Sequence, residues 1–60
     1  MTVRELLKLL YKDGWFVDHT TGSHLQMEHP TKKGMVTVPN HKGDMAPGTV
    51  ARIKRQAGWK

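Results

Sequence analysis

Sixty residues without a cysteine and with a net charge of +5 make one small basic domain, residues 1–60, that neither disulfides nor thiolate metal ligands staple together. No apolar run approaches the ~20 residues that cross a bilayer, and the N-terminus lacks the charged-then-apolar pattern of a secretory signal, so a soluble cytoplasmic protein without a membrane partner is expected. The charge is polarised: residues 1–30 set three Lys/Arg against four Asp/Glu (−1) and residues 31–60 seven against one (+6), which points to a polyanionic partner, RNA or DNA.

Thr2-Val3-Arg4-Glu5 opens the chain as a capping box, and Val3, Leu6, Leu7 and Leu10 then recur at the spacing of a helix with one buried stripe. Asp13-Gly14 ends that helix, with Gly14 as its C′ residue. Arg4, Lys8 and Lys12 fall on the opposite face, where a solvated ridge is the plain reading and phosphate contact the functional one.

From Trp15 the period changes to two. Trp15-Phe16-Val17-Asp18-His19-Thr20 reads as a first strand, Thr21-Gly22-Ser23 as a hairpin turn and His24-Leu25-Gln26-Met27-Glu28-His29 as a second strand. Leu25 and Met27 must face a core, which leaves His24, Gln26 and Glu28 on the polar face. Pro30-Thr31-Lys32-Lys33-Gly34 is a turn by composition, so both lysines are expected to be free of the fold and open to phosphate. Met35-Val36-Thr37-Val38 is a third strand stopped by Pro39. Residues 40–46 read as a loop, and Pro47 at N1 opens a helix with Val50, Ile53 and Ala57 inward, Arg52 and Arg55 outward, and Gly58 at its end. The fold class is α+β, in the order α-β-β-β-α: a three-stranded antiparallel sheet with both helices on one face.

His24 is the leading candidate for chemistry. Imidazole is the one side chain that unperturbed titrates near neutrality, and Gly22 and Ser23 place it at a turn where a ligand can approach the backbone closely. The plain alternative is a hydrogen-bonded surface histidine. His19, His24 and His29 recur at five-residue intervals, an odd spacing that prevents all three from sharing one strand face, and no cysteine or carboxylate cluster completes a zinc set, so no metal and no cofactor is expected.

The run Gly14-Trp15, Thr21-Gly22-Ser23-His24, Val36-Thr37-Val38-Pro39 with His41, and Pro47-Gly48-Thr49 with Ile53, Gln56, Ala57 and Gly58 resembles the HicA toxins of bacterial HicA–HicB toxin–antitoxin systems over almost the whole chain. The resemblance implies a fold like that of double-stranded-RNA-binding domains. It also implies an mRNA interferase, a ribonuclease held silent by a HicB antitoxin, with the histidine of the Gly-Ser-His motif as the catalytic residue. His24 occupies that position. Gly22, Ser23 and His41 are further candidates for catalysis or RNA contact, and Lys32, Lys33, Lys42, Arg52 and Arg55 for phosphate binding. The partners implied are mRNA and a HicB-like protein, the free toxin being a monomer that forms a hetero-oligomer with its antitoxin. The rival reading is a non-catalytic RNA-binding module of the same fold. True double-stranded-RNA-binding domains start their last helix with a lysine cluster, whereas Ala46-Pro47-Gly48-Thr49 stands here, which weighs against that rival. A DNA-binding partner without catalysis has only the net charge behind it.

Overall fold

A computed structural model describes residues 1–59 as helix α1 (Val3–Asp13), strands β1 (Phe16–Thr21), β2 (His24–Glu28) and β3 (Val36–Pro39), and helix α2 (Pro47–Gln56). The three strands form one antiparallel sheet in the order β1-β2-β3, as the alternation and short connections predict. Its inner face carries Met27, Val36 and Val38, which pack with Val3, Leu6 and Leu10 of α1, Ile53 of α2 and Ala57 at the C-cap of α2 into a single core. The other face of the sheet is open.

Local chemistry sets the ends of α1. The Thr2 hydroxyl accepts from the Glu5 amide at 3.1 Å while the Glu5 carboxylate accepts from the Thr2 amide at 2.9 Å, a complete capping box. At the other end Gly14 takes φ 108°, and the Gly14 and Trp15 amides donate back to the Tyr11 and Leu10 carbonyls, both at 3.0 Å. Only glycine fits there: its backbone is left-handed, and a Cβ would lie 2.7 Å from His29 Nε2. The chain thus reverses so abruptly that Trp15, expected as the first strand residue, becomes a buried core residue and β1 begins at Phe16.

Thr21 pairs with His24, so the hairpin loop narrows to Gly22-Ser23. Gly22 has φ 58° and Ser23 a negative φ, the pattern of a type II′ turn, whose twist matches that of the strands it joins. A β-bulge between Val17 and His19 then shifts β1 so that Val17 opposes Met27 while His19 opposes Gln26. Val17 therefore keeps the core face and His19 joins the open one.

β3 is an edge strand, and its outward Thr37 amide donates to Gln56 Oε1 of α2 at 3.1 Å, which ties the helix to the sheet and blunts the edge. Residues 40–46 are not wholly loop-like in their packing. The Met45 side chain is buried and its amide donates to the Met1 carbonyl at 3.0 Å, beside a bridge between Thr2 and Asp44, so the segment closes over the start of α1.

Candidate active site

The open sheet face is built from alternate residues of the three strands. His24 lies between Thr21 of β1 and Pro39 of β3, and next to it on β2 Gln26 lies between His19 and Thr37. Thr37 Oγ1 donates to Gln26 Oε1 at 2.8 Å. His19 Nδ1 meets Asp18 Oδ2 at 2.9 Å, and the His19 ring beside it holds the Asp18 carboxyl below its ordinary value. Sequence spacing gives no sign of this Asp18–His19 pair, because strict alternation puts adjacent residues on opposite faces and only the bulge turns both toward the open side.

The four histidines meet different fates. His29 Nδ1 accepts from the Thr31 and Lys32 amides, each at 3.1 Å, and Nε2 donates to the Asp13 carbonyl at 2.7 Å, so its partners assign a neutral ring with the proton on Nε2. That ring also meets Trp15 edge-on, with centroids 5.2 Å apart. His41 Nδ1 donates to the Lys42 carbonyl at 2.9 Å, and its Nε2 has no hydrogen bond among the described residues. His24 is exposed, and among the described residues no side-chain hydrogen bond engages either of its nitrogens, whereas the other three rings are each held.

The hairpin tip and the loop after β3 are joined directly. The Asn40 amide donates to the Ser23 carbonyl at 2.6 Å, which fixes the loop bearing His41 and Lys42 against the residue that precedes His24. Gly22, Ser23, His24, His41 and Lys42 thus gather at one end of the sheet. A Cβ on Gly22 would meet nothing within 4 Å, so space above the tip is open.

The remaining cations lie elsewhere. The turn bearing Lys32 and Lys33 follows the far end of β2, a strand of five residues that spans about 13 Å. Lys33 is exposed there. Lys32 is not free of the fold as its turn position suggests: its Nζ donates to Asp13 Oδ2 at 2.7 Å and to the Ala57 carbonyl at 3.1 Å, at the C-terminal end of α2. The same Asp13 oxygen accepts from the indole nitrogens of Trp15 at 3.0 Å and Trp59 at 3.1 Å. These donors, Lys32 foremost and then Trp59, pull the Asp13 carboxyl down to about 2. Arg52 and Arg55 project from the exposed side of α2.

Chemically, the open end offers an unengaged imidazole, a second imidazole with a free nitrogen, and a lysine, all beside exposed backbone. Among the described residues no helix is long and apolar enough to cross a membrane, and no group of three or more His, Cys, Asp or Glu is placed to hold a metal ion. A search of curated proteins returned no match. The family model described as the HicA toxin of bacterial toxin–antitoxin systems matches residues 3–59, nearly the entire length of a chain whose Gly-Ser-His turn, type II′ hairpin and Gln56-pinned edge strand stand as described, and the chain belongs to that family of toxins.

Proposed function

We propose that this toxin is a metal-independent endoribonuclease, an mRNA interferase that blocks translation in the cytoplasm, with His24 as its catalytic residue. The observation that carries the reading is the uncommitted His24 ring on the open sheet face, in a fold where the other three histidines all have partners. RNA supplies its own nucleophile. Removing the 2′-hydroxyl proton lets that oxygen attack the adjacent phosphorus, and a proton delivered to the 5′ oxygen lets the downstream strand leave. His24 performs one of these two transfers, for which an imidazole is suited near neutral pH and which contributes on the order of 10²–10⁴ in rate. His41 Nε2 on the adjoining loop is the candidate for the other. Lys42 beside it offsets charge on the phosphate, and Gly22 and Ser23 let the RNA backbone approach the turn.

The decisive experiment is His24→Ala. Cleavage should fall by about 10² or more and toxicity should disappear, while the melting temperature stays put, because an exposed side chain without partners moves stability by about 0.5 kcal/mol or less. Cleavage retained by the folded variant would remove His24 from the mechanism, and RNA binding without cleavage by the wild-type protein would establish the non-catalytic module instead. Activity should persist in a chelator, and a 2′-deoxy nucleotide at the scissile position should block it.

A toxin of a toxin–antitoxin system needs an antitoxin, and the open sheet face is the surface we assign to a HicB-like partner. Covering it with a standard interface would bury about 800 Å² of this chain, out of 4125 Å² in total. Hydrogen exchange in residues 20–28 should slow in the complex, and RNA should compete. An antitoxin that binds tightly yet leaves those residues unprotected rules out occlusion.

A further inference from the structure

The charge balance of −1 in residues 1–30 conceals a basic groove. Each acid of the first helix is engaged locally, since Glu5 caps its own helix through the Thr2 amide and Asp13 accepts from Lys32 and two tryptophans. Arg4 and Lys8 have no ion-pair partner among the described residues, and neither has Lys42. These three cations line a groove of about 520 Å³ between α1 and residues 40–43, and the groove has no acidic lining residue among those described. Its α1 wall adds Leu7 and Tyr11, the latter 51% exposed. Arg4, Lys8 and Tyr11 are four and three residues apart, so they follow one face of α1 over about 10 Å.

The groove shares His41 and Lys42 with the candidate site. Its opposite wall contains Asn40, His41 and Lys42, and Asn40 is the residue bonded to the Ser23 carbonyl next to His24. Cations at intervals beside an exposed aromatic ring are the components of a track for single-stranded nucleic acid: phosphates pair with the cations and a base stacks on the ring. The C-terminal cations fit such a track less well, since Lys32 is occupied by Asp13 and the exposed aromatics of the chain are Tyr11 on α1 and Phe16 on β1.

We infer that the groove between α1 and residues 40–43 is an RNA subsite, in which single-stranded RNA flanking the cleaved bond places its phosphates on Arg4, Lys8 and Lys42 and stacks a base on Tyr11. The position of that RNA beside a cleaved bond rests on the His24 reading of the active site, but binding in the groove does not.

Binding is measured by fluorescence anisotropy of a labelled 12-nucleotide single-stranded RNA of mixed sequence, in a His24→Ala background that leaves the RNA intact. Joint replacement Arg4→Ala, Lys8→Ala and Lys42→Ala should flatten the log–log dependence of affinity on salt by about 2, at roughly 0.7 per phosphate contact. Tyr11→Ala should weaken binding about tenfold without changing that slope, and Tyr11→Phe should restore it, since the ring and not the hydroxyl stacks. Lys12→Ala, outside the groove on the same helix, should change neither, which separates a track from a diffuse positive field. All five side chains are exposed, so melting temperatures should match the parent. Unchanged RNA affinity in the triple and Tyr11 variants overturns the proposal, whether or not they lose affinity for an acidic antitoxin segment; loss for the antitoxin alone would make the groove a protein-binding surface. If the wild-type protein proves unable to cleave RNA while the groove variants lose binding as described, the His24 reading fails and the subsite stands.

Discussion

The two ends of the short sheet use the same kinds of side chain for opposite purposes. At the closed end His29 has both ring nitrogens engaged, Lys32 bridges Asp13 and the end of α2, and two indoles share the Asp13 oxygen. At the open end, among the described residues, His24 has no side-chain partner, His41 has one nitrogen free and Lys42 forms no ion pair. A polar group whose hydrogen bonds are satisfied within the fold stabilises that fold and has little left to offer a ligand. In a chain with so little core, the polar groups that hold the fold gather at one end of the sheet and those left free for a ligand at the other.

That division is tested most severely by Asp13→Ala. The substitution removes the acceptor of Lys32 and of both indoles, and for the buried Trp15 N–H the loss of its partner alone costs about 1–3 kcal/mol. In a domain of this size each kcal/mol lowers the melting temperature by about 4–8 °C, so a large drop is expected in a thermal melt. Below the new midpoint the RNA cleavage rate should stay within about twofold of the wild type. A variant that melts normally but loses activity would reverse the roles of the two ends.

Lys32 and Lys33 sharpen the comparison because they are sequence neighbours with different environments. Lys32→Glu sets a carboxylate against Asp13 and should lower the melting temperature clearly, whereas Lys33→Glu should move stability by no more than about 0.5 kcal/mol. Equal melting temperatures for the two variants would mean that the Asp13–Lys32 pair does not hold α1 and α2 together in solution.

These two lysines also mark the limit of what the sequence displays. The capping box at Thr2 and Glu5, the glycine stop at Gly14, the period change at Trp15 and the proline start at Pro47 are local signals, and each element they predict is present, the first strand starting one residue later than expected. His24 on the polar face follows from period two alone. The Asp13 hub is different: its partners lie 2, 19 and 46 residues away, so no local spacing announces it. The burial of Met45 is likewise decided by where residues 40–46 cross α1. The bulge that brings Asp18 and His19 to the open face depends on how β1 pairs with β2.

Gly22→Ala addresses the open end with a smaller effect. A Cβ there has space, so the cost is that of the left-handed backbone alone, about 1–2 kcal/mol. The tip carries the main chain next to His24, so the cleavage rate should fall more than stability does. The same loss of stability with full activity would show that the turn only joins two strands and that the position of His24 tolerates a change in its geometry.

The finest distinction is one of pH. The Asp13 carboxyl has an ordinary value of 3.8 and is held at about 2 in the folded protein, chiefly by Lys32 and then by Trp59. Because the folded state retains the charge to lower pH than the unfolded state does, the resulting stabilisation is complete above 3.8 and is lost as pH falls from 3.8 toward 2. Glu5 and Asp18 are also lowered, and they add to acid sensitivity in the same direction. Asp13→Asn isolates the first contribution, since its amide oxygen can still accept an indole N–H but cannot titrate. Between about pH 5 and about pH 2.5 the melting temperature of the wild-type protein should therefore fall further than that of Asp13→Asn, with the two curves converging at the acid end. Parallel curves would show that the closed end draws no stability from the Asp13 charge, and would leave the hydrogen bonds of that oxygen as its whole contribution.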